Sequence, residues 1–561
     1  MDGAVTRKRQ CGFRWLIVLA MAGALPLPAV APIGIPSAAD QLVLRQLTVE
    51  AQGKLGLLPQ FKGQVAAFYA AMGNQPAWLH DGKLTGQGQE LVQIFKRAGQ
   101  KGLRPGDYGN WTMLLARLSA AKSDRQRLGV DVALTTAAMR YVSDLHFGRV
   151  APEAMGFALG AREKNFRLAD FLLASVVHAD NVGKAIASAE PPFAGYWRTL
   201  AALDRLEDEE ADAKHRALPV PKKSVHPGEN YAGLPQMVAL LRRIGDLPAN
   251  VVIPIEDDTR YQGALVETVK GFQERHGLAP DGILGRATIA AMNVPLSDRI
   301  EQLELTLERW RWIPHHLALP VVVVNIPEFR LYVIDRDYRW LMLQKVITGK
   351  SYHHKTPVFI AQMQSVIFRP YWNVPLSIQR KELVPKIARD HGYLSRNEYE
   401  IVDLTNHPVR VSINAEVLAE LRSGALKIRQ LPGDKNSLGL IKFEFPNRYD
   451  VYMHGTPAQA LFSRTRRDFS HGCIRVEHPA ALAEWVLRDL PGWTPEKIQA
   501  AMHGAETETV NLPTPLTVVI FYSTVVVTHN GGIRFLPDIY RYDAKLKAAL
   551  ARQRSEITAG L

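Results

Sequence analysis

The residues best able to do chemistry lie between Tyr452 and Arg475, in the segment YMHGTPAQALFSRTRRDFSHGCIR. His454 precedes Gly455-Thr456-Pro457, and Cys473 follows nineteen residues later within Ser470-His471-Gly472-Cys473-Ile474-Arg475. A thiol attacks as the thiolate, and at its ordinary pKa of about 8.5 only a few per cent is ionised at neutral pH. An imidazole close by raises that fraction or takes the proton during attack. Glycine beside the nucleophile leaves room for substrate and lets backbone N–H groups turn toward a developing oxyanion. His454, His471, Gly472 and Cys473 therefore supply the parts of a cysteine acyl-transfer site. A zinc set of Cys473, His454, His471 and His478 is the rival on paper. His471 and Cys473 are only two apart, without the HExxH or CxxC spacing that marks such sites, and neither a metal nor any other cofactor is expected.

Such a site needs a rigid frame, and the chain from Pro320 onward reads as one. Residues 321–325, 330–334, 340–347, 358–361 and 365–368 are β-branched or aromatic runs, with a hairpin turn at 335–338. A polar, helical interval over about 377–439 interrupts them. Strands resume at 441–445 and 450–453, the second of which delivers His454 at its end. Residues 516–536 predict a late hairpin turning at Asn530-Gly531-Gly532. Upstream, residues 64–69, 90–98 and 134–145 carry apolar side chains at helical spacing. The acidic run 204–212 and the basic, Pro-containing run 214–228 read as a linker or exposed loop. Between Tyr231 and Pro295, short helices over 234–244, 265–276 and 287–292 surround a Gly-rich loop, 277–285.

Composition bounds the rest. A chain of 561 residues, 47% hydrophobic and 22% charged, is long enough for about three to five folded units. That apolar content excludes wholesale disorder, and no run beyond the N-terminus is apolar enough for a polytopic membrane protein. Arg7, Lys8, Arg9 and Arg14 precede an apolar stretch, 15–27, and Ser37-Ala38-Ala39 offers a cleavage site, the layout of a secretory signal or an N-terminal anchor. With only two cysteines, no disulfide scaffold can be built, and Cys473 is the one thiol of the exported part. The net charge of +13 is scattered rather than massed, so nucleic acid is not an expected partner, and a polyanionic envelope suits it.

HGTP and SHGCIR together resemble the active-site signature of the L,D-transpeptidase (YkuD-type) family, with sixteen residues from His454 to Ser470. Pro370-Tyr-Trp-Asn-Val-Pro375, Leu103-Arg-Pro-Gly-Asp-Tyr108, Gly148-Arg149-Val150 and Asp538-Ile-Tyr540 extend the resemblance to that family's large periplasmic subfamily. Residues 272–288 resemble the small peptidoglycan-binding module. Gly455 departs from the Asp found there in many members. The resemblance implies a multidomain α+β chain. Its parts are a signal or anchor (1–39), a helical scaffold (40–230), a peptidoglycan-binding-like module (231–296), a helical connector (297–319), a β-rich catalytic domain (320–510) with a helical capping insertion (about 376–439), and a hairpin and tail (511–561).

It also implies roles. Cys473 attacks the bond before the terminal D-alanine of a tetrapeptide stem, and His454 acts as base and then acid, with the Gly455 carbonyl fixing its tautomer. The segment His471-Gly472-Cys473 supplies oxyanion donors, while Tyr452, Arg475, Trp372 and Ser470 hold substrate. The implied partners are the donor stem, a meso-diaminopimelate acceptor and other cell-wall synthases in the periplasm, with membrane contact only through an uncleaved N-terminus. The product is a 3→3 cross-link, and carbapenems acylate the same sulfur. Carboxypeptidase action, protein attachment to the wall and a non-catalytic wall-binding scaffold are the alternatives.

Overall fold

The computed structural model describes residues 41–48, 63–160, 165–211, 217–248, 250–253 and 259–560, so the signal or anchor read over 1–39 lies outside the described residues. The helical half is organised round α1 (Asp124–Phe147), capped by Ser123, whose hydroxyl accepts the Gln126 N–H. Its second half is buried nearly all round, as a central helix must be. Asp131 on α1 accepts N–H groups of Ala77 and Trp78 and the Tyr69 hydroxyl, and burial pushes its carboxyl up to about 6. The acidic run after Asp204 is not a loop: α2 (Ala194–Ala211) continues through it. Leu203 and Leu206 fall on one face of that helix and are buried, while the acidic residues occupy the other faces.

Three helices follow, α3 (Leu234–Arg243), α4 (Ala264–Arg275) and α5 (Arg286–Met292), close to the ranges their periodicity predicts. Gln273 of α4 pins the glycine loop between them, donating to Asp281 and Thr288 and accepting the Gly282 N–H. Helix α6 (Leu296–Trp310) connects this unit to the β-rich domain. Its fully buried Glu308 accepts the N–H of Val150 at 2.9 Å and pairs with Arg149 at 3.1 Å, which fastens the helical half to the connector.

Downstream come β1 (Val321–Asn325), β2 (Arg330–Ile334), β3 (Trp340–Gly349), β4 (Phe359–Phe368), β5 (Trp372–Asn373), α7 (Val384–Arg389), β6 (Tyr399–Val402), α8 (Ala415–Ser423) and β7 (Lys427–Gln430). After them are β8 (Ile441–Glu444), β9 (Met453–His454), β10 (Asp468–Ser470), β11 (Ile474–Val476), α9 (Pro479–Leu487), β12 (Glu508–Phe521), β13 (Val525–Val527), β14 (Ile533–Phe535) and α10 (Tyr542–Gly560). The main sheet runs β3–β11–β9–β8–β4–β12–β1–β2, and β2 pairs back onto β3, so it closes into a barrel, with β10 added at the end of β3. Closure leaves no free edge. The pairs β9–β11 and β12–β1 are parallel; the other neighbours in the ring are antiparallel. Val322, Val324, Leu331, Val346, Met363, Phe443, Met453, Ile474 and Val518 fill the interior.

The chain is thus the multidomain α+β protein expected, with three further differences. Residues 359–368 form one strand, not two runs, because Met363, between Gln362 and Gln364, points into the core. A domain boundary at 510 would cut β12, which pairs with both β4 and β1 inside the barrel; only β13 and β14 form the late hairpin. The capping insertion is not purely helical: β7 pairs with β5 and β6 in a three-stranded sheet beneath α7 and α8. Val384, Ile387, Ile401, Leu421 and Ile428 give it a small core of its own.

Candidate active site

The parallel pair β9–β11 places the chemistry. Met453 lies opposite Ile474 and His454 opposite Arg475 in the register. Met453 and Ile474 point into the barrel, so period-two alternation turns Tyr452, His454, Cys473 and Arg475 to the outer face together. The Tyr452 and His454 rings stand 5.6 Å apart on that face. Cys473 is beside Tyr452 and diagonal to His454.

His454 is buried, and its Nδ1 donates to the Gly455 carbonyl at 2.6 Å. That bond leaves Nε2 unprotonated, as an acceptor. Burial, reinforced by Arg475 and Lys442, lowers the imidazole to about 3, so it is neutral throughout the physiological range. Burial likewise raises the Cys473 thiol above its ordinary value. The backbone N–H and hydroxyl of Tyr452 both donate to the sulfur and oppose that shift. Trp372 of β5, the strand that pairs with β7 of the insertion, lies on the side of the Tyr452 hydroxyl and favours its ionised form. The thiol donates to the Asp450 carbonyl at 3.8 Å and not to the imidazole. Asn447 shapes that carbonyl's loop through bonds to Phe445 and Val451.

The turn before the sulfur is held from several directions. Gly472 has φ +127°, a conformation that favours glycine. Ser470 is buried; its hydroxyl accepts the Gly472 N–H at 3.1 Å and donates to the Cys473 carbonyl at 2.6 Å. It is therefore committed to the turn, and not open to substrate. The Gly472 N–H is likewise engaged, which leaves the N–H groups of His471 and Cys473 as donors for an oxyanion. Thr356, fully buried, donates to the Gly472 carbonyl at 2.7 Å and accepts the Gly349 N–H at 2.8 Å. Tyr540 completes this brace, donating to the Gly349 carbonyl and accepting the Thr356 N–H. Sequence reasoning missed Thr356 altogether, since it lies 116 residues from its partner and belongs to no motif.

His471 does not touch the sulfur's partners. Its Nε2 meets Glu382 of the insertion at 2.5 Å, and its ring packs edgewise on His354 at 4.8 Å. Arg475 forms no ion pair among the described residues, and its Nε is buried without a hydrogen-bond partner. Such a guanidinium suits an anionic group of a ligand. Among the described residues, no group of three or more His, Cys, Asp or Glu is arranged to hold a metal ion. His478 is exposed beside Glu477.

Comparison with known proteins matches three parts of the chain. Residues 320–518 match the model of the L,D-transpeptidase catalytic domain (YkuD), residues 233–292 that of a peptidoglycan binding domain, and residues 63–203 that of a scaffold domain. A Haemophilus influenzae protein named "Putative L,D-transpeptidase" is 32% identical over 279 residues, which is 48% of this chain and 55% of that protein. The chain thus matches about half the length of this curated relative. A solved L,D-transpeptidase from Xylanimonas cellulosilytica is 15% identical over 55% of this chain and 100% of that one, with a TM-score of 0.17, too low to carry any argument. The chain carries an L,D-transpeptidase catalytic domain of the YkuD type behind a scaffold and a peptidoglycan-binding domain.

Proposed function

We propose that this chain is an L,D-transpeptidase that joins peptidoglycan stems 3→3 through a thioester on Cys473. The observation that carries the reading is the shared outer face of β9 and β11, where a thiol and a neutral, tautomer-fixed imidazole stand on adjacent strands. In the first half-reaction the thiol turns from Asp450 toward His454 Nε2 and gives up its proton as sulfur attacks the carbonyl carbon before D-alanine. Tyr452 donates to the sulfur as its charge grows, and the N–H groups of Cys473 and His471 receive the oxyanion. The imidazolium then protonates the departing D-alanine amine. Arg475 holds a carboxylate of the donor, and Trp372 packs on it from β5.

In the second half-reaction an acceptor amine attacks the thioester, the C–N bond forms as C–S breaks, and sulfur regains its proton from His454. Ser470, Thr356 and Tyr540 are positioning residues that keep the Gly472–Cys473 turn in shape. The domain set supports work on the extracytoplasmic wall, whether the N-terminus is cleaved or retained. Incubation with disaccharide-tetrapeptide tests the reading: cross-linked dimer and free D-alanine are expected, both lost in Cys473→Ala. Tripeptide without dimer would make the protein a carboxypeptidase, and no product at all would leave only a wall-binding scaffold.

A further inference from the structure

The outer face of the barrel carries more charge than acylation uses. On β8, Lys442 and Glu444 alternate with the inward Ile441 and Phe443, so both leave the core on the side of the candidate site. The register sets Lys442 opposite His454 and Phe443 opposite Met453, which stands Glu444 beside Tyr452. Joined to the β9–β11 register, the face becomes a grid. One row reads Lys442, His454, Arg475; the next reads Glu444, Tyr452, Cys473. Lys442 Nζ lies 4.2 Å from the centroid of the Tyr452 ring, whose hydroxyl bonds the sulfur, and its ammonium pairs with Glu444. The two side chains are 19% and 33% exposed, so the pair lines the face without being sealed in it. Nucleophile, base and oxyanion donors are all supplied by other residues.

We propose that the Lys442–Glu444 pair is the acceptor subsite, binding the zwitterionic amine centre of the incoming stem; this rests on the transpeptidase reading above. The reacting amine of meso-diaminopimelate is an ammonium at neutral pH, on a carbon that also bears a carboxylate. An ion pair one row wide is the complement of that pattern: Lys442 takes the carboxylate and Glu444 the ammonium, each exchanging one partner for another of the same charge. Docked there, the nitrogen stands at Glu444, in the row of Tyr452 and Cys473 and diagonal to His454, with the Tyr452 ring between it and the thioester. Of the two protons the ammonium sheds, one goes to solvent as the amine is freed and the other passes through His454 to the leaving sulfur. Water carries neither charge, so the pair favours transfer over hydrolysis.

The test measures how the full-length protein divides its thioester between dimer and tripeptide, a ratio that cancels any change in acylation. Donor tetrapeptide is supplied with a diaminopimelate tripeptide acceptor, either free or amidated at the carboxyl beside the reacting amine. The parent is expected to favour the free acceptor by about ten-fold, the size of one charge-assisted hydrogen bond. Lys442→Met should erase that preference and Lys442→Arg restore it, while Glu444→Gln should raise the acceptor concentration needed for half-maximal transfer by a similar factor. Parental ratios and preference in both Lys442→Met and Glu444→Gln would overturn the subsite, as would a parent indifferent to amidation. A parent that forms no acyl-enzyme fails at an earlier step and refutes the transpeptidase reading itself.

Discussion

Thr356→Val removes one hydroxyl from beneath the Gly472–Cys473 turn and changes almost nothing else in shape. The hydroxyl serves two buried backbone groups, the Gly349 N–H at 2.8 Å and the Gly472 carbonyl at 2.7 Å, in a site with no exposure. Each orphaned group costs about 1–3 kcal/mol, so the substitution should destabilise the barrel by about 2–6 kcal/mol. For a unit of this size that is a fall in melting temperature of roughly 5–25 °C. Function should suffer beyond stability, because the freed Gly472 peptide no longer fixes the neighbouring N–H that receives the oxyanion, and such a donor is worth about 10²-fold in rate. Thr356→Ser keeps the hydroxyl and should acylate at close to the parental rate. The assay follows carbapenem adduct formation by intact mass against time, beside thermal melting. Parental melting and acylation in Thr356→Val would show that the brace does not support the turn.

Three further outcomes are expected. Because the thiol is raised by burial and the imidazole lowered to about 3, both stay neutral between pH 5 and 8, and carbapenem acylation should be flat there; an inflection near 6.5 would place a titrating imidazole in the step. Alkylation of Cys473 by iodoacetamide needs the thiolate, so its rate should climb with pH past the ordinary thiol value of about 8.5, and a plateau below that would contradict the raised thiol. Gly148→Ala, at φ +75°, would bring a Cβ 2.8 Å from Glu308 Oε1 and 2.9 Å from Trp312 Nε1. It should cost about 2 kcal/mol or more, read as a lower melting temperature of the helical half.

The sequence exposes much of this molecule because its strongest signals are local. β-branched and aromatic runs mark β1 and β2 at the residues where they occur, and three amphipathic stretches mark α3, α4 and α5. The HGTP and SHGC segments are legible because a nucleophile, a base and a flexible turn must be near one another in the chain or across one strand pair. What stays hidden is set by distant partners. The turn at 335–338 announces the β2–β3 pair, but closing the ring also needs β12 to lie parallel to β1, far away in the chain, and no residue pattern announces that. The acidic run in α2 hides a helix because charge dominates its composition, while Leu203 and Leu206 continue the buried face begun by Tyr196 and Leu200. The short strands of the insertion's sheet, β5 before it and the four-residue β6 and β7 within it, carry too little alternation to be told from loop. Asp450 enters through a carbonyl rather than a side chain, so its identity conveys nothing of its contact with sulfur.

Capturing the covalent intermediate tests the central claim most directly. The protein is mixed with disaccharide-tetrapeptide labelled in its third residue, quenched in acid within the first turnover, and digested for peptide mapping. The account predicts a thioester-linked tripeptide on the peptide containing Cys473, with one D-alanine released for each adduct. D-alanine released while Cys473 stays unmodified, or an adduct on any other residue, would contradict it.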